Sequence, residues 1–336
     1  MPSARRSPPD RHGRSSGGRE PRSGAGRESR SGGGREPDGA RQPRRRPPAS
    51  SGSRSGGRPR AQRPPGGQAS RRRGSDLPAR ILIAVPAAIV AIAFVDFGGT
   101  AWAVLMILLG CLCLNELYRL LQRWHPADLV GFASLTAMVL AARFGSERIV
   151  LEVAVATLPV TFLAVIGRGE QRSPTVAIAG TLFGVYWIGF AFAHAVLLRQ
   201  LPHGAGLLID ILVGTFLGDT AAYLGGRLFG RRPLAPSISP KKTVEGLFCG
   251  MLIAIVAVFV AALNQAWLTH GDALLLGVAV AVLAPLGDLF ESLVKRDADV
   301  KDAGHAFGAH GGALDRLDAV IFTVVAGYYI SVALVH

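Results

Sequence analysis

From Leu77 to its C-terminus, the chain consists mainly of apolar stretches that are long enough to cross a bilayer. A spanning helix needs about 20 mostly apolar residues. Nine stretches approach that length, the third being the shortest: 79–96, 99–118, 128–143, 149–167, 175–198, 206–226, 246–264, 273–292 and 318–335. Each stretch is apolar all round, as a helix surrounded by lipid must be. The sequence therefore predicts an all-α, polytopic integral membrane protein with about nine transmembrane helices.

The first 76 residues have a different composition. They contain twenty Arg, no Lys and six acidic residues, so they carry a net charge of +14, whereas residues 77–336 are neutral. The segment is rich in Arg, Gly, Ser and Pro and has no aromatic residue. Such a segment buries too little apolar surface to offset the entropy of ordering it. We therefore predict a disordered basic tail at 1–76 and a transmembrane domain at 77–336.

The basic tail allows two interpretations. Its RGG-like spacing is typical of nucleic-acid binding, in which Arg neutralises phosphate, but the aromatic residues that stack on bases are missing. Anionic lipid headgroups attract the same charges, at about 1 kcal/mol for each Arg near the surface. We therefore expect membrane lipids next to the tail and no nucleic acid.

The distribution of charge predicts the orientation. If the tail is cytoplasmic and nine spans alternate, fourteen Lys and Arg residues fall in cytoplasmic segments and only three in outside loops. This is the asymmetry that the positive-inside rule describes. The sequence therefore predicts a multi-pass protein of the cell (inner or plasma) membrane. Its N-terminus and its two strongly polar loops, 227–245 and 293–317, would be cytoplasmic, and its C-terminus would be outside.

Acidic residues inside predicted spans are costly and therefore informative. Asp219 lies near the cytoplasmic end of the sixth span, and Asp288 and Glu291 lie near that of the eighth. The latter two are three residues apart, hence on one helical face, and Pro285 and Gly287 can loosen that helix. Intramembrane ion pairs or a transporter's proton relay would also explain these acids. For Asp288 we favour a metal ligand.

Four other ionisable residues in the spans are less informative. For Glu116 and His194, an interhelical hydrogen bond is at least as good an explanation as a functional role. For Glu152 and Asp210 the sequence favours neither interpretation.

The loop after the sixth span suggests a site for phosphate. Ser239, Lys241, Lys242 and Thr243 place two hydroxyls and two ammonium groups around a proline, and Glu245 follows as the next span opens. Thr243 is suited to cap that helix, and a helix N-terminus favours anions. We predict that a triphosphate lies there with Lys242 on its oxygens. The alternative is an ordinary positive-inside loop, and the chain contains no Walker loop.

The segment 292–318 is the most informative stretch of the chain. It gathers four cations, five aspartates, two histidines and a Gly-Gly pair next to an apolar span. In polyphosphate chemistry carboxylates hold divalent metal, cations hold phosphate oxygens, and glycines let the backbone approach the ligand.

The same segment resembles the signature of the phosphatidate cytidylyltransferases, the CDP-diacylglycerol synthases. The matching positions are Ser292, Lys295, Arg296, Lys301, Asp302, His310, Gly311, Gly312, Asp315, Arg316 and Asp318. The resemblance extends to Asp219, to Ser239–Gly246 and to Gly287–Ser292, and it covers 77–336 without the tail. One departure is Ala313, where the pattern has a larger aliphatic residue.

The resemblance implies a Mg²⁺-dependent nucleotidyltransferase of phospholipid biosynthesis. CTP and phosphatidic acid would give CDP-diacylglycerol and pyrophosphate; a second cation and a homodimer are left open. Another CTP-dependent lipid enzyme, an ether-lipid cytidylyltransferase or a polyprenol kinase, is the nearest alternative. A membrane transporter and a scaffold that tethers RNA or anionic lipid are further alternatives.

The residues can then be assigned to roles. We predict Asp288 and Asp315 as the principal metal ligands. As catalytic residues we predict Asp219, Lys295, Arg296, His310, Arg316 and Asp318. As substrate-binding residues we predict Ser239, Lys241, Lys242, Thr243, Glu245, Ser292, Lys301, Asp302, Gly311 and Gly312. Of these groups, Ser239, Lys242 and Thr243 would face CTP, and Lys295, Arg296 and Arg316 the lipid phosphate or the transferring phosphoryl.

Overall fold

The computed structural model describes residues 89–169, 173–300, 303–304 and 311–335. The predicted tail and most of the first predicted span lie outside these ranges. After a helical stretch at 89–97, eight long helices follow: α1 Gly99–Leu120, α2 Asp128–Phe144, α3 Glu147–Gly167, α4 Pro174–Gln200, α5 Gly204–Phe229, α6 Val244–Ala262, α7 His270–Asp297 and α8 Leu314–Val335. The helix α4 contains one π-helical turn, Val185–Gly189.

Seven of these helices, all except α2, are long and apolar enough to cross a membrane. The helix α2 corresponds to the short third prediction and has 17 residues. Within the described ranges, the prediction of an all-α, multi-span membrane protein is therefore confirmed.

Two helices extend beyond the apolar stretches that predicted them. The helix α7 ends at Asp297 rather than at 292, and α8 begins at Leu314 rather than at 318. A helix satisfies its own backbone hydrogen bonds, so it can continue into the polar zone after its apolar residues end. The predicted polar loop 293–317 is thus partly wrong, because Lys295, Arg296, Asp315 and Arg316 lie on helix ends.

A small antiparallel hairpin, which the sequence analysis did not predict, precedes α6. It pairs β1 (Pro233–Ala235) with β2 (Ser239–Thr243). At the end of β2, the Thr243 hydroxyl accepts a hydrogen bond from the Gly246 backbone N–H at 3.2 Å. The predicted helix cap is confirmed, and it fixes the direction in which the hairpin enters α6.

The helices pack around α4, where every residue from Ala191 to Leu198 is buried. The helices α5 and α6 form a close pair, and α7 contacts α5, α6 and α8. At Gly246 a Cβ atom would come within 2.6 Å of the Ala222 carbonyl oxygen, so the start of α6 can lie against α5 only without a side chain. This contact holds the hairpin beside the end of α5.

The ionisable residues that the sequence left undecided have specific partners. The buried His194 has its ring nitrogens 2.8 Å from the Phe190 carbonyl oxygen and 3.1 Å from the Tyr329 hydroxyl, the latter on α8. Asp210 is also buried and accepts a hydrogen bond from Gln265 Nε2 at 2.5 Å. Glu152 is exposed and accepts one from Arg148 Nε at 3.0 Å. Of the two explanations left open for His194, the structure thus contains the interhelical hydrogen bond.

Candidate active site

Three carboxylates meet where the end of α7 packs against the start of α8. Each of Asp288, Glu291 and Asp318 offers one oxygen, and these oxygens lie within 4.8 Å of one another. Glu291 and Asp318 are buried and Asp288 is partly buried. Carboxylate oxygens are the ligands that hard divalent cations such as Mg²⁺ prefer. We call these three residues the acidic cluster; their donor set fits a divalent metal ion.

The acidic cluster depends on a close approach of two backbones. At Gly287 a Cβ atom would come within 2.5 Å of the Asp318 carbonyl oxygen and 3.1 Å of the Ala319 Cα. Small residues permit such contacts between membrane helices. Because Asp288 and Glu291 are three apart on α7 and share a face, the contact at Gly287 brings both towards Asp318.

Lys295 links Glu291 of the acidic cluster to Asp315 of α8. Its ammonium group forms ion pairs with Glu291, one turn before it, and with Asp315, where the Nζ–Oδ1 distance is 2.7 Å. Asp315 also accepts backbone hydrogen bonds from Ala303 at 3.0 Å and from Gly312 at 2.8 Å. The predicted metal ligand Asp315 therefore lies outside the acidic cluster, and its oxygens hold Lys295 and the backbone before α8.

The second cation at the acidic cluster comes from the hairpin. Lys242 Nζ lies 2.5 Å from Asp288 Oδ2, and both side chains are partly buried. Asp219, on α5, interacts electrostatically with both Asp288 and Lys242. The structure thus brings together residues that the sequence analysis had assigned separately to metal and to CTP.

Further contacts attach the hairpin to the helices. Glu245 Oε2 accepts hydrogen bonds from the backbone N–H groups of Arg231 at 3.0 Å and Arg232 at 3.2 Å. From α7, Arg296 Nε donates to the Ile238 carbonyl oxygen at 3.1 Å. In the structure, the side chains of Glu245 and Arg296 therefore position the hairpin.

The remaining predicted residues surround this centre or lie outside the described ranges. On β2, Ser239 is partly buried and Lys241 is exposed; on the helices, Ser292 is partly buried and Arg316 is exposed. Gly311 has a φ of +86°, which favours glycine, and it precedes Gly312 in the turn before α8. The predicted residues Lys301, Asp302 and His310 lie outside the described residues.

Two acidic residues have a larger part in the site than the sequence analysis assigned to them. Glu291 was grouped with Asp288, and their spacing was the signal, but it received no role. The buried Glu116 of α1 accepts a hydrogen bond from the Leu314 N–H at 2.9 Å. A Cβ atom at Gly304 or at Gly312 would collide with the Glu116 carboxylate. Glu116 therefore lies against three residues of the segment 292–318: Gly304, Gly312 and Leu314, the first residue of α8.

The comparison with known proteins agrees with the site. The sequence pattern of the Cytidylyltransferase family matches residues 78–334. The chain belongs to this family. This cytidylyltransferase is 32% identical over 265 residues to the phosphatidate cytidylyltransferase of Bacillus subtilis (strain 168). The match covers 76% of this chain and 97% of that protein.

Two further relatives extend the comparison. Phosphatidate cytidylyltransferase 4, chloroplastic, of Arabidopsis thaliana is 35% identical over 218 residues, covering 56% of this chain and 54% of the plant protein. The phosphatidate cytidylyltransferase of Mycobacterium bovis is 33% identical over 153 residues, covering 46% of this chain and 50% of that protein. The predicted family is thereby confirmed.

Proposed function

We propose that this cytidylyltransferase converts CTP and phosphatidic acid into CDP-diacylglycerol and pyrophosphate. The observation that carries the proposal is the position of the acidic cluster between Lys242 and Lys295, at the end of membrane-spanning helices. This arrangement suits a reaction between a membrane lipid and a soluble nucleotide. The relatives named phosphatidate cytidylyltransferase support the same reaction.

The reaction joins two polyanions. An oxygen of the lipid phosphate forms a bond to the α-phosphorus of CTP, and the bond from that phosphorus to the bridging β-phosphate oxygen breaks. Pyrophosphate leaves with the electron pair. The nucleophile is already an anion, so no strong general base is needed. The barrier comes from charge repulsion and from the charge that develops on the leaving group, and fixed cations lower both.

Asp288, Glu291 and Asp318 would hold Mg²⁺. Asp219, which interacts electrostatically with Asp288, would add negative charge for that ion or for a second cation. When bound, the ion would neutralise phosphate oxygens. Asp315, predicted as a ligand, has protein donors on both oxygens. In our proposal it positions Lys295 and the turn at Gly312.

The cations form two groups. Lys242, with Ser239 and Thr243, would bind the phosphates of CTP, because the hairpin presents these residues beside the capped start of α6. Lys295, with Arg296 and Arg316 on the two helix ends, would bind the lipid phosphate or the transferring phosphoryl. Holding both substrates at one metal site would supply the in-line alignment that phosphoryl transfer needs.

We place the site on the cytoplasmic side of the cell membrane because of the charge asymmetry of the loops. The test uses a variant without Cys111, Cys113 and Cys249, into which one cysteine is introduced in the hairpin (Ser237→Cys) or in the loop between α6 and α7 (Asn264→Cys). Both positions are exposed. An impermeant thiol reagent added to intact cells should label position 264 and not 237; the reverse would contradict the orientation.

The substrate assignment is tested with the purified full-length chain in detergent. CTP labelled at the α- or at the γ-phosphorus is supplied with and without phosphatidic acid and Mg²⁺. The proposal expects the α-label in the lipid and the γ-label in pyrophosphate, only when both additions are present. Transfer of the γ-label to a lipid would indicate a kinase, and turnover with an ether-linked lipid alone would indicate the ether-lipid enzyme.

A further inference from the structure

A partly open apolar cavity of about 120 Å³ lies between α1, α4, α5, α8 and the helical stretch at 89–97. Every described residue that lines it is apolar, including Trp102 and Met106 of α1, Ala195 of α4, Phe216 of α5 and Val324 of α8. The ring of Trp102 is fixed because its Nε1 donates to the Ala195 carbonyl oxygen at 3.0 Å. The one polar group of that ring is therefore satisfied without water.

The cavity begins at the level of the acidic residues. Its lining includes Phe216, which is three residues from Asp219 on α5, and Leu317, which directly precedes Asp318 on α8. From Leu317 to Val324 the wall follows α8 for about 10 Å, at a rise of about 1.5 Å per residue. The cavity thus extends along the helices from the site into the membrane-spanning part of the protein.

We infer that this cavity binds a section of one acyl chain of the lipid substrate, an inference that rests on the proposed function. A lipid whose phosphate is at the acidic cluster must place its chains along the membrane-spanning helices. A cavity with these walls offers a chain no polar competitor, and an apolar cavity of about 150 Å³ stays dry and accepts a molecule the size of benzene. The space at hand therefore suits several methylene groups rather than a whole chain.

Binding a section of chain would make the cavity a determinant of specificity. Each buried methylene contributes about 0.8 kcal/mol, which corresponds to about fourfold in affinity. A side chain that displaces two or three methylenes should therefore lower kcat/KM for a long-chain lipid by at least about tenfold. A lipid whose chains are too short to reach the altered wall should be unaffected.

The test compares Ala195→Leu, which fills the cavity, with Val324→Ala, which enlarges it. Ala156→Leu, at an exposed position of α3, is the matched control for the added bulk. We measure kcat/KM for dibutanoyl and dipalmitoyl phosphatidic acid in one detergent, together with KM for CTP. Ala195→Leu should lower the ratio of dipalmitoyl to dibutanoyl kcat/KM by at least about tenfold. KM for CTP should not change, and Ala156→Leu should behave like the unaltered chain.

Val324→Ala carries the test by itself if Ala195→Leu does not fold. It should raise the rate with a bulkier cis-unsaturated chain, relative to dipalmitoyl lipid, by several-fold. An unchanged chain-length profile in a folded variant, or an equal loss with both lipids, would overturn the inference. If the unaltered chain makes no CDP-lipid from either substrate, the proposed function fails instead, so the two failures are distinguishable.

Discussion

The two ends of the helix bundle differ in the partners that their buried ionisable groups have. Where α5 begins, each has a neutral partner: Asp210 accepts from Gln265 at 2.5 Å, and His194 lies 3.1 Å from the Tyr329 hydroxyl. Where α7 ends, three carboxylates lie together and two lysines bind to them. We refer to these regions as the Asp210 end and the acidic end.

The difference separates structural from functional acids. A single carboxylate beside a neutral donor is satisfied by a hydrogen bond and stabilises a contact between helices. Three carboxylates at one point repel one another, and burial increases the cost of each charge unless cations accompany them. Such an arrangement is unfavourable for packing and favourable for binding metal and phosphate.

The largest expected effect tests the contrast between the two ends directly. Asp288→Asn should lower kcat at least about a hundredfold, because metal ions contribute several kcal/mol to transition states of this kind. Asp210→Asn is the matched control at the other end, since its amide oxygen can still accept from Gln265, and it should keep near-normal turnover. The measurement is CDP-lipid formation over a range of Mg²⁺ concentrations. Equal losses in the two variants would contradict the division.

Part of this site could be predicted from sequence. The spacing of Asp288 and Glu291 placed two carboxylates on one helical face, and the resemblance identified the signature segment. The sequence could not show which of Asp315 and Asp318 joins Asp288 and Glu291, because both lie in the first turns of α8. Only the contact at Gly287 decides this.

The fold was predictable to the same degree. Hydropathy identified the spans because lipid imposes an apolar surface on each helix. It placed the end of α7 too early, because a charged residue such as Lys295 lowers the hydropathy and so indicates a loop. A helix can nevertheless extend into the polar zone. The hairpin was missed because strand 239–243 contains a proline and two lysines and has no apolar alternation.

The second effect concerns Glu116, which contacts the signature segment from α1. Glu116→Ala should lower kcat by about 10- to 100-fold, the usual cost of losing a group that orients a metal site. Glu116→Gln retains an oxygen that can accept from the Leu314 N–H and should recover most of the activity. Turnover and KM for both substrates are measured. A loss in the glutamine variant as large as in the alanine variant would show that the charge, and not the hydrogen bond, is required.

The third effect sharpens the assignment of the cations. Lys242→Ala should raise KM for CTP by about tenfold or more, because a hydrogen bond to a charged group contributes about 1.5–3 kcal/mol. KM for phosphatidic acid should change less. Lys241→Ala, at the exposed neighbouring position of β2 that was also predicted to bind substrate, should raise this KM less. If the lipid KM rises more than the CTP KM, the two groups of cations must be exchanged.

The smallest expected effect concerns residues 1–76. A chain that starts near Leu77 should keep its turnover at saturating lipid in detergent, because the resemblance and the site lie outside the tail. In vesicles at low salt it should lose some rate on dilute substrate, since the attraction of the arginines to anionic lipid is screened over about 8 Å at physiological ionic strength. Loss of turnover in detergent, with the chain still folded, would place the tail in the active site.

The contact at Gly287 has a consequence for how substitutions in this enzyme are understood. A methyl group there would meet the backbone of α8, so it would act as a spacer between α7 and α8. Asp288 and Glu291 would keep their chemistry and yet stand too far from Asp318 to share an ion. A loss of function at this position would thus be a loss of distance, caused at a residue that has no side chain to contribute.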